Sequence, residues 1–83
     1  MAKMRITKDQ YWSLNPMAKE LHDYWMRFKP TMYNELADSG KLWDLLQSEG
    51  DRINEIVISN LHTLGIAGAM ELARAEIYDE MMD

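Results

Sequence analysis

The residues of this chain that could do chemistry are two histidines and a group of carboxylates near the C-terminus. His22 precedes Asp23 and lies two residues after Glu20, whereas His62 has no carboxylate at a helical spacing. A divalent metal needs three or four convergent ligands, and adjacent residues of a helix point to different sides. We therefore predict a surface position for His22, a partly exposed one for His62, and no metal site.

The C-terminal carboxylates have no sequence context that predicts catalysis. They are Glu71, Glu76, Asp79, Glu80 and Asp83. A catalytic pair needs an enclosed apolar pocket that separates the two pKa values, and a thin bundle of 83 residues rarely encloses one. No histidine is placed to activate a serine, and Gly65 and Gly68 do not form a phosphate-binding motif. The sequence thus predicts a non-enzymatic protein with no catalytic residues and no cofactor.

The charge of the chain is distributed unevenly. Residues 1–41 hold seven Lys and Arg against five Asp and Glu (+2), and residues 42–83 hold two against nine (−7), which together give the formal net charge of −5. An acidic half repels phosphate backbones, so nucleic-acid binding is not expected to be the main activity. The charges either keep a small helical domain soluble or form an acidic face for a basic protein surface.

Length and composition predict one cytoplasmic domain over residues 1–83. The chain has no cysteine, which is compatible with a reducing compartment. Its start leads into polar residues rather than the apolar segment of a signal peptide. No apolar run approaches the ~18 residues of a membrane span, so we expect no membrane association.

Helix signals follow one another along the chain, and no strand is predicted. The signals are a Thr7 and Gln10 capping box, an Asn15-Pro16 helix start, a stop at Pro30 and another at Ser39-Gly40. Within the second helix an apolar stripe runs through Met17, Leu21, Tyr24, Trp25 and Phe28. Such a stripe predicts a core-facing side.

The apolar residues after Leu42 cover a wide arc, which predicts a long central helix. Gly50 would cost about 1 kcal/mol relative to alanine there, but the apolar stripe keeps its phase, so we favour continuity over a break. A stop near Leu64-Gly65 precedes a last helix in which Ala69 and Ala73 permit close packing. The predicted fold is all-α, a small bundle of four to five helices around a long central helix.

Three Trp, four Tyr and eight Met are many for so short a chain. Trp and Tyr anchor protein interfaces, and Met is common on adaptable binding surfaces. Residues off the core stripes or in the acidic half are therefore candidates for contact with a partner: Trp12, Met26, Trp43, Glu71, Glu76, Tyr78, Asp79, Glu80 and Met82. The alternative is that the aromatic and methionine side chains complete a small core or a homodimer seam.

The region from Tyr33 to Leu46 resembles the small transposon-encoded TnpV-type proteins of Gram-positive bacteria. Their pattern is an aromatic residue, a short amphipathic turn, Ser-Gly-Lys-Leu and a long helix, and the similarity spans roughly residues 24–61. The C-terminal part departs from that family, which has no catalytic residues. The resemblance implies a mobile-element or phage context and an accessory role.

The leading hypothesis is a protein that binds another protein and could also form a homodimer. One alternative is an anti-defence inhibitor, such as an anti-CRISPR protein, whose acidic face mimics DNA. The other is a helix-turn-helix regulator, because His62-Thr63-Leu64-Gly65-Ile66 and the following helix have the layout of that motif. Glu71, Arg74 and Glu76 would then face the DNA, and the two carboxylates make the regulator electrostatically unfavourable.

Overall fold

The computed structural model describes residues 4–80, with side chains described as far as Tyr78. Four helices follow in order: α1 Lys8–Ser13, α2 Pro16–Phe28, α3 Pro30–Asp38 and α4 Leu42–Glu80. No strand occurs in this described part of the chain. The predictions of an all-α chain and of one long helix are confirmed.

The first two helices begin at the predicted caps. The Gln10 N–H donates to Thr7 Oγ1 at 3.0 Å, and the Thr7 N–H donates to Gln10 Oε1 at 2.9 Å. At the start of α2, the Ala18 N–H donates to Asn15 Oδ1 at 2.8 Å, with Pro16 in the first turn. These bonds satisfy N–H groups that have no partner inside the helix.

The turn between α3 and α4 depends on Gly40. This residue has φ 77°, in the left-handed region that glycine enters without steric cost. The Gly40 N–H donates to the Ala37 carbonyl at 3.1 Å, and the Lys41 N–H donates to the Leu36 carbonyl at 3.0 Å. This pair of bonds is the Schellman motif, which ends α3 where the sequence predicted a stop.

Gly65 divides α4 into two segments, α4N (residues 42–64) and α4C (residues 66–80). Its φ of 73° and ψ of 174° lie in a region open essentially to glycine alone. Arg52 Nη1 donates to Glu76 Oε1 at 3.2 Å, although these residues are 24 positions apart. A straight helix of that length would separate them by about 36 Å. The two segments therefore run antiparallel, and the predicted stop at Leu64-Gly65 is confirmed.

The core lies where α2 packs against both segments of α4. Its fully buried side chains include Met17, Leu21, Tyr33, Leu46, Ile53 and Ile77. Gly50 is buried where α4N meets α2, and a Cβ atom built on it would overlap the Cβ of Ala18 and lie 3.0 Å from its Cα. The helix is continuous at Gly50, as favoured, and the glycine permits close helix packing.

His22 is fully buried, so the prediction of a surface histidine is wrong. Its Nε2 lies 2.7 Å from Tyr33 Oη, and its Nδ1 lies 3.1 Å from Asp23 Oδ1. The Tyr33 oxygen also accepts from the Arg5 N–H at 2.8 Å, and the Tyr11 hydroxyl donates to Asp23 Oδ2 at 3.1 Å. The prediction failed because Tyr33 belongs to a different helix. Its hydroxyl forms the hydrogen bond that compensates the His22 ring for the loss of water.

All of these bonds form together if His22 is neutral and carries its proton on Nδ1. The Tyr33 hydroxyl then donates to Nε2, and Nδ1–H donates to Asp23. Burial raises the pKa of Tyr33 above its usual value of about 10; the charge of Arg5 opposes this rise and that of Asp23 adds to it. Burial and the hydrogen bond to Asp23 also raise the pKa of Tyr11. The network joins the N-terminal segment, α1, α2 and α3.

Candidate functional site

A groove of about 790 Å³ lies between α2, the start of α3 and α4C. We call it the aromatic groove; it is lined by Glu20, Asp23, Tyr24, Met26, Arg27, Phe28, Pro30, Asn34 and Tyr78. Most of its α2 residues recur at three- and four-residue steps, which places them on one face of that helix. The antiparallel return at Gly65 brings Tyr78 to the same face.

Three aromatic rings form the apolar part of the groove. The ring centroid of Tyr24 lies 5.1 Å from that of Phe28 and 5.0 Å from that of Tyr78. Tyr24 is half-buried, whereas Phe28 is 61% exposed and Tyr78 is 46% exposed. The two outer rings thus present apolar surface to solvent, and each is carried by a helix that packs against the core.

Charged side chains surround the rings. Arg74 Nε donates to both carboxylate oxygens of Glu20, at 2.9 and 3.0 Å. Asp23 is held by the Tyr11 hydroxyl and the His22 ring, and Arg27 is exposed beside it. Aromatic residues within a polar rim are the usual arrangement of a protein-binding surface.

The buried network has the residue types of an acid-base relay, but its histidine and its Tyr33 hydroxyl cannot contact a substrate. Asp23, His22 and Tyr33 are linked in the order that orients a base toward a hydroxyl. However, His22 and Tyr33 are both 0% exposed, so the hydroxyl is closed off from solvent. Among the described residues, no three His, Cys, Asp or Glu side chains are grouped to hold a metal ion. The network therefore stabilises the fold beneath the groove.

The structure places the predicted aromatic and methionine contacts in different positions. Met26 and Tyr78 both line the aromatic groove. Trp12 is 69% exposed on α1, outside the groove, with Lys19 Nζ 4.9 Å from its ring centroid. Trp43 is half-buried against the core, as is Met26, which matches the alternative that these side chains complete a small core.

The predicted acidic contacts also lie apart from one another. Glu76 accepts a hydrogen bond from α4N, and Glu71 is exposed on α4C outside the groove. Asp79 and Glu80 belong to α4, but their side chains lie outside those that the structure describes. Met82 lies outside the described residues altogether.

Two aromatic groove residues that sequence reasoning missed, Tyr24 and Phe28, were assigned to the core stripe of α2. Phe28 was grouped with Leu21 and Trp25, yet its ring is largely exposed because α4C covers Tyr24 and leaves the end of α2 open. The missed signal was the charge pattern along the same face. Charged residues at positions 20, 23 and 27 share the helical phase of Tyr24 and Phe28, which is unusual for a fully buried stripe.

One helix of the described chain, Leu42–Tyr78, is long and apolar enough by length and composition to cross a membrane. Polar residues interrupt its apolar sequence, so no uninterrupted apolar run predicts a membrane span, although few of these polar residues are charged. A single helix of this kind is a weak indication, since core helices of soluble proteins satisfy the same criterion. In the fold described above, Gly65 bends this helix back on itself.

The resemblance of the region from Tyr33 to Leu46 to TnpV-type proteins remains a prediction. Comparison with protein-family models, with curated proteins and with solved structures yields no match for this chain.

Proposed function

We propose that this protein is a small helical bundle around α4 that acts without catalysis, by binding another protein through the aromatic groove. The observation that carries the proposal is the exposure of Phe28 and Tyr78 on either side of Tyr24. Aromatic rings are enriched at the centres of protein interfaces, where they supply large contact area from few rotatable bonds. A partner that covers these rings would remove their apolar surface from water.

The expected contribution of each outer ring follows from its exposure. Complete burial of a large apolar side chain stabilises a complex by about 1.5–3 kcal/mol. Phe28 and Tyr78 are each about half exposed, so covering one of them would contribute about 0.7–1.8 kcal/mol. That corresponds to a change of about 3- to 20-fold in the dissociation constant.

The charges beside the rings indicate what kind of partner fits. Glu20 and Asp23 line the groove beside Arg27, and Arg74 forms an ion pair with Glu20. Acidic and basic groups therefore balance within the groove, whereas the whole chain carries −5. Complementary charge speeds association and suppresses wrong partners. The partner that fits best therefore presents an apolar anchor with basic residues beside it.

Comparative affinity capture tests this proposal. The purified protein, Phe28→Ala, Tyr78→Ala and the control Trp12→Ala would each be used as bait in a lysate of the organism that encodes the chain. Trp12 is a matched control because it is a large exposed ring outside the groove. We expect one partner to be retained by the wild type and the control and to fall at least about 3-fold with either groove variant.

Two results would contradict the proposal. One is recovery of the same proteins by all four baits, and the other is recovery of none by the wild type. Circular dichroism of each variant shows whether its helical content is preserved, so loss of binding can be separated from loss of folding.

The two alternatives draw less support from the described residues. A DNA mimic needs carboxylates without internal partners, whereas two of the acidic half, Glu49 and Glu76, form ion pairs with Arg52. A helix-turn-helix unit crosses its helices at about 90–120°, unlike the antiparallel segments on either side of Gly65. A mobility shift with DNA at low salt would favour the regulator over protein binding. The mobile-element context and cytoplasmic location remain predictions.

A further inference from the structure

The corner of the α4 hairpin carries no acidic residue, lysine or arginine. The fifteen residues from Ile56 to Met70 include no Asp, Glu, Lys or Arg, in a chain of which 28% of residues are charged. Every residue from 61 to 67 is exposed. We use the name hairpin tip for four large apolar side chains in this stretch, which are 39 to 60% exposed: Ile58, Leu61, Leu64 and Ile66.

Charged residues limit this apolar surface on both segments. Glu55 on α4N and Glu71 on α4C are exposed, and each is the first charged residue beyond the neutral stretch. An exposed apolar patch bordered by polar residues commonly marks a surface that another molecule covers.

We propose that the hairpin tip is a self-association surface and that the tip of a second copy of this chain covers it. Two molecules that each carry −5 repel one another over most of their surfaces. The hairpin tip brings no like charges into contact. In a two-fold dimer the same patch meets itself, so the patch must be complementary to itself, and a neutral apolar surface meets that requirement without opposite charges.

The residues beside the tip argue against a membrane as the occupant. Helices that lie on membranes usually carry Lys and Arg beside their apolar face, because these residues are attracted to anionic lipids. The charged residues nearest the tip are Glu55 and Glu71, which anionic lipid headgroups repel. A second copy of the chain can cover the tip without any Lys or Arg beside it.

The size of the tip sets the expected strength of the dimer. A stable dimer usually buries about 800 Å² on each partner, and four half-exposed side chains supply only part of that area. Glu55 and Glu71 prevent the contact from extending along the helices, because like charges would then meet. We therefore expect a reversible dimer that depends on concentration. Salt should strengthen it, because salt screens the repulsion between the two acidic chains.

Sedimentation equilibrium of the full chain tests this proposal, from micromolar to nearly millimolar concentration and at low and high salt. The wild type should show a monomer–dimer equilibrium that tightens at high salt. Ile66→Glu, which brings two carboxylates into the contact, should weaken the dimer at least about tenfold. Trp12→Glu adds the same charge at an exposed site outside the tip, and its dimerisation should match the wild type within a few-fold.

Several results would overturn the proposal. They are a wild-type chain that stays monomeric throughout, a dimer that Ile66→Glu leaves intact, and a dimer that salt weakens. A monomeric chain that binds phosphatidylcholine vesicles would instead assign the tip to a membrane and would also overturn it. None of these measurements involves the aromatic groove, so their failure leaves the proposed function standing.

Discussion

Replacing Gly50 with alanine tests the close packing of α2 against α4N. In an unobstructed helix interior this change would stabilise the protein by about 1 kcal/mol. Here the added Cβ atom would overlap the Cβ of Ala18 and lie 3.0 Å from its Cα, and neither atom can rotate away. Overpacking a core typically costs about 1–3 kcal/mol. The cost at Gly50 should lie near the upper end of this range, because the contacting atoms of Ala18 belong to or adjoin the backbone of α2. We expect Gly50→Ala to lower the free energy of unfolding by about 1–2 kcal/mol in net terms.

Urea unfolding followed by circular dichroism measures this effect. A lower midpoint with an unchanged slope would show a loss of stability without a change in the surface exposed on unfolding. The variant Ala18→Gly removes the overlapping Cβ atom, so it should partly relieve Gly50→Ala when the two are combined. Because the two residues are in contact, we expect the double variant to differ from the sum of the single changes by at least about 1 kcal/mol.

Two results would refute this reasoning about Gly50. One is a gain of about 1 kcal/mol from Gly50→Ala, which an ordinary glycine in an open helix would give. The other is simple addition of the two single effects, which would mean that Ala18 and Gly50 are not in contact. Either result would show that α2 does not approach α4N as described.

The remaining predictions concern the hairpin and the buried network. Gly65→Ala places a side chain in a strained region and should destabilise the protein by about 1–3 kcal/mol; an unchanged urea midpoint would contradict the reversal. Tyr33→Phe removes the hydroxyl shared by His22 and Arg5 and should cost about 1–3 kcal/mol in the same assay, whereas no loss would mean that the network is unimportant. Folding raises the pKa of Tyr33 and Tyr11, so the contribution of these two phenols to the free energy of unfolding should be full below about pH 10. It should fall above that pH, where the unfolded chain loses its phenol protons first. Unfolding free energies that stay level above that pH would contradict the burial of these phenols.

The helix boundaries could be predicted because their signals are local. Thr7 and Asn15 cap helices through bonds that span three residues, and Gly40 ends α3 through its own backbone conformation. Gly65 is a similar case, since its position after Leu64 predicted a stop. The antiparallel return beyond it brings together distant pairs such as Arg52 and Glu76, which no local pattern reveals.

The candidate site could be predicted only in part, because its geometry depends on contacts between helices. The residue types were sufficient to select Met26 and Tyr78 as possible contacts. An apolar stripe indicates which face of a helix packs against the core, but it does not show how much of that face a neighbouring helix buries. Phe28 was therefore assigned to the core, and His22 to the surface, although the structure reverses both assignments.

Both proposed surfaces require the chain to reverse direction at Gly65. The reversal brings Tyr78 against Tyr24 and leaves the hairpin tip exposed. The same reversal distinguishes this fold from a continuous helix that could span a membrane. A distance between the two segments of α4 is therefore the most direct test.

The chain has no cysteine, so Asp51→Cys and Ala75→Cys would provide two unique sites for spin labels on exposed positions of α4N and α4C. Pulsed electron spin resonance, with excess unlabelled protein to remove distances between molecules, then measures their separation. Packed helices lie about 8–10 Å apart, so we predict a separation below about 20 Å once the label arms are included. A separation near about 36 Å, the length of 24 residues of straight helix, would contradict the fold and both proposals.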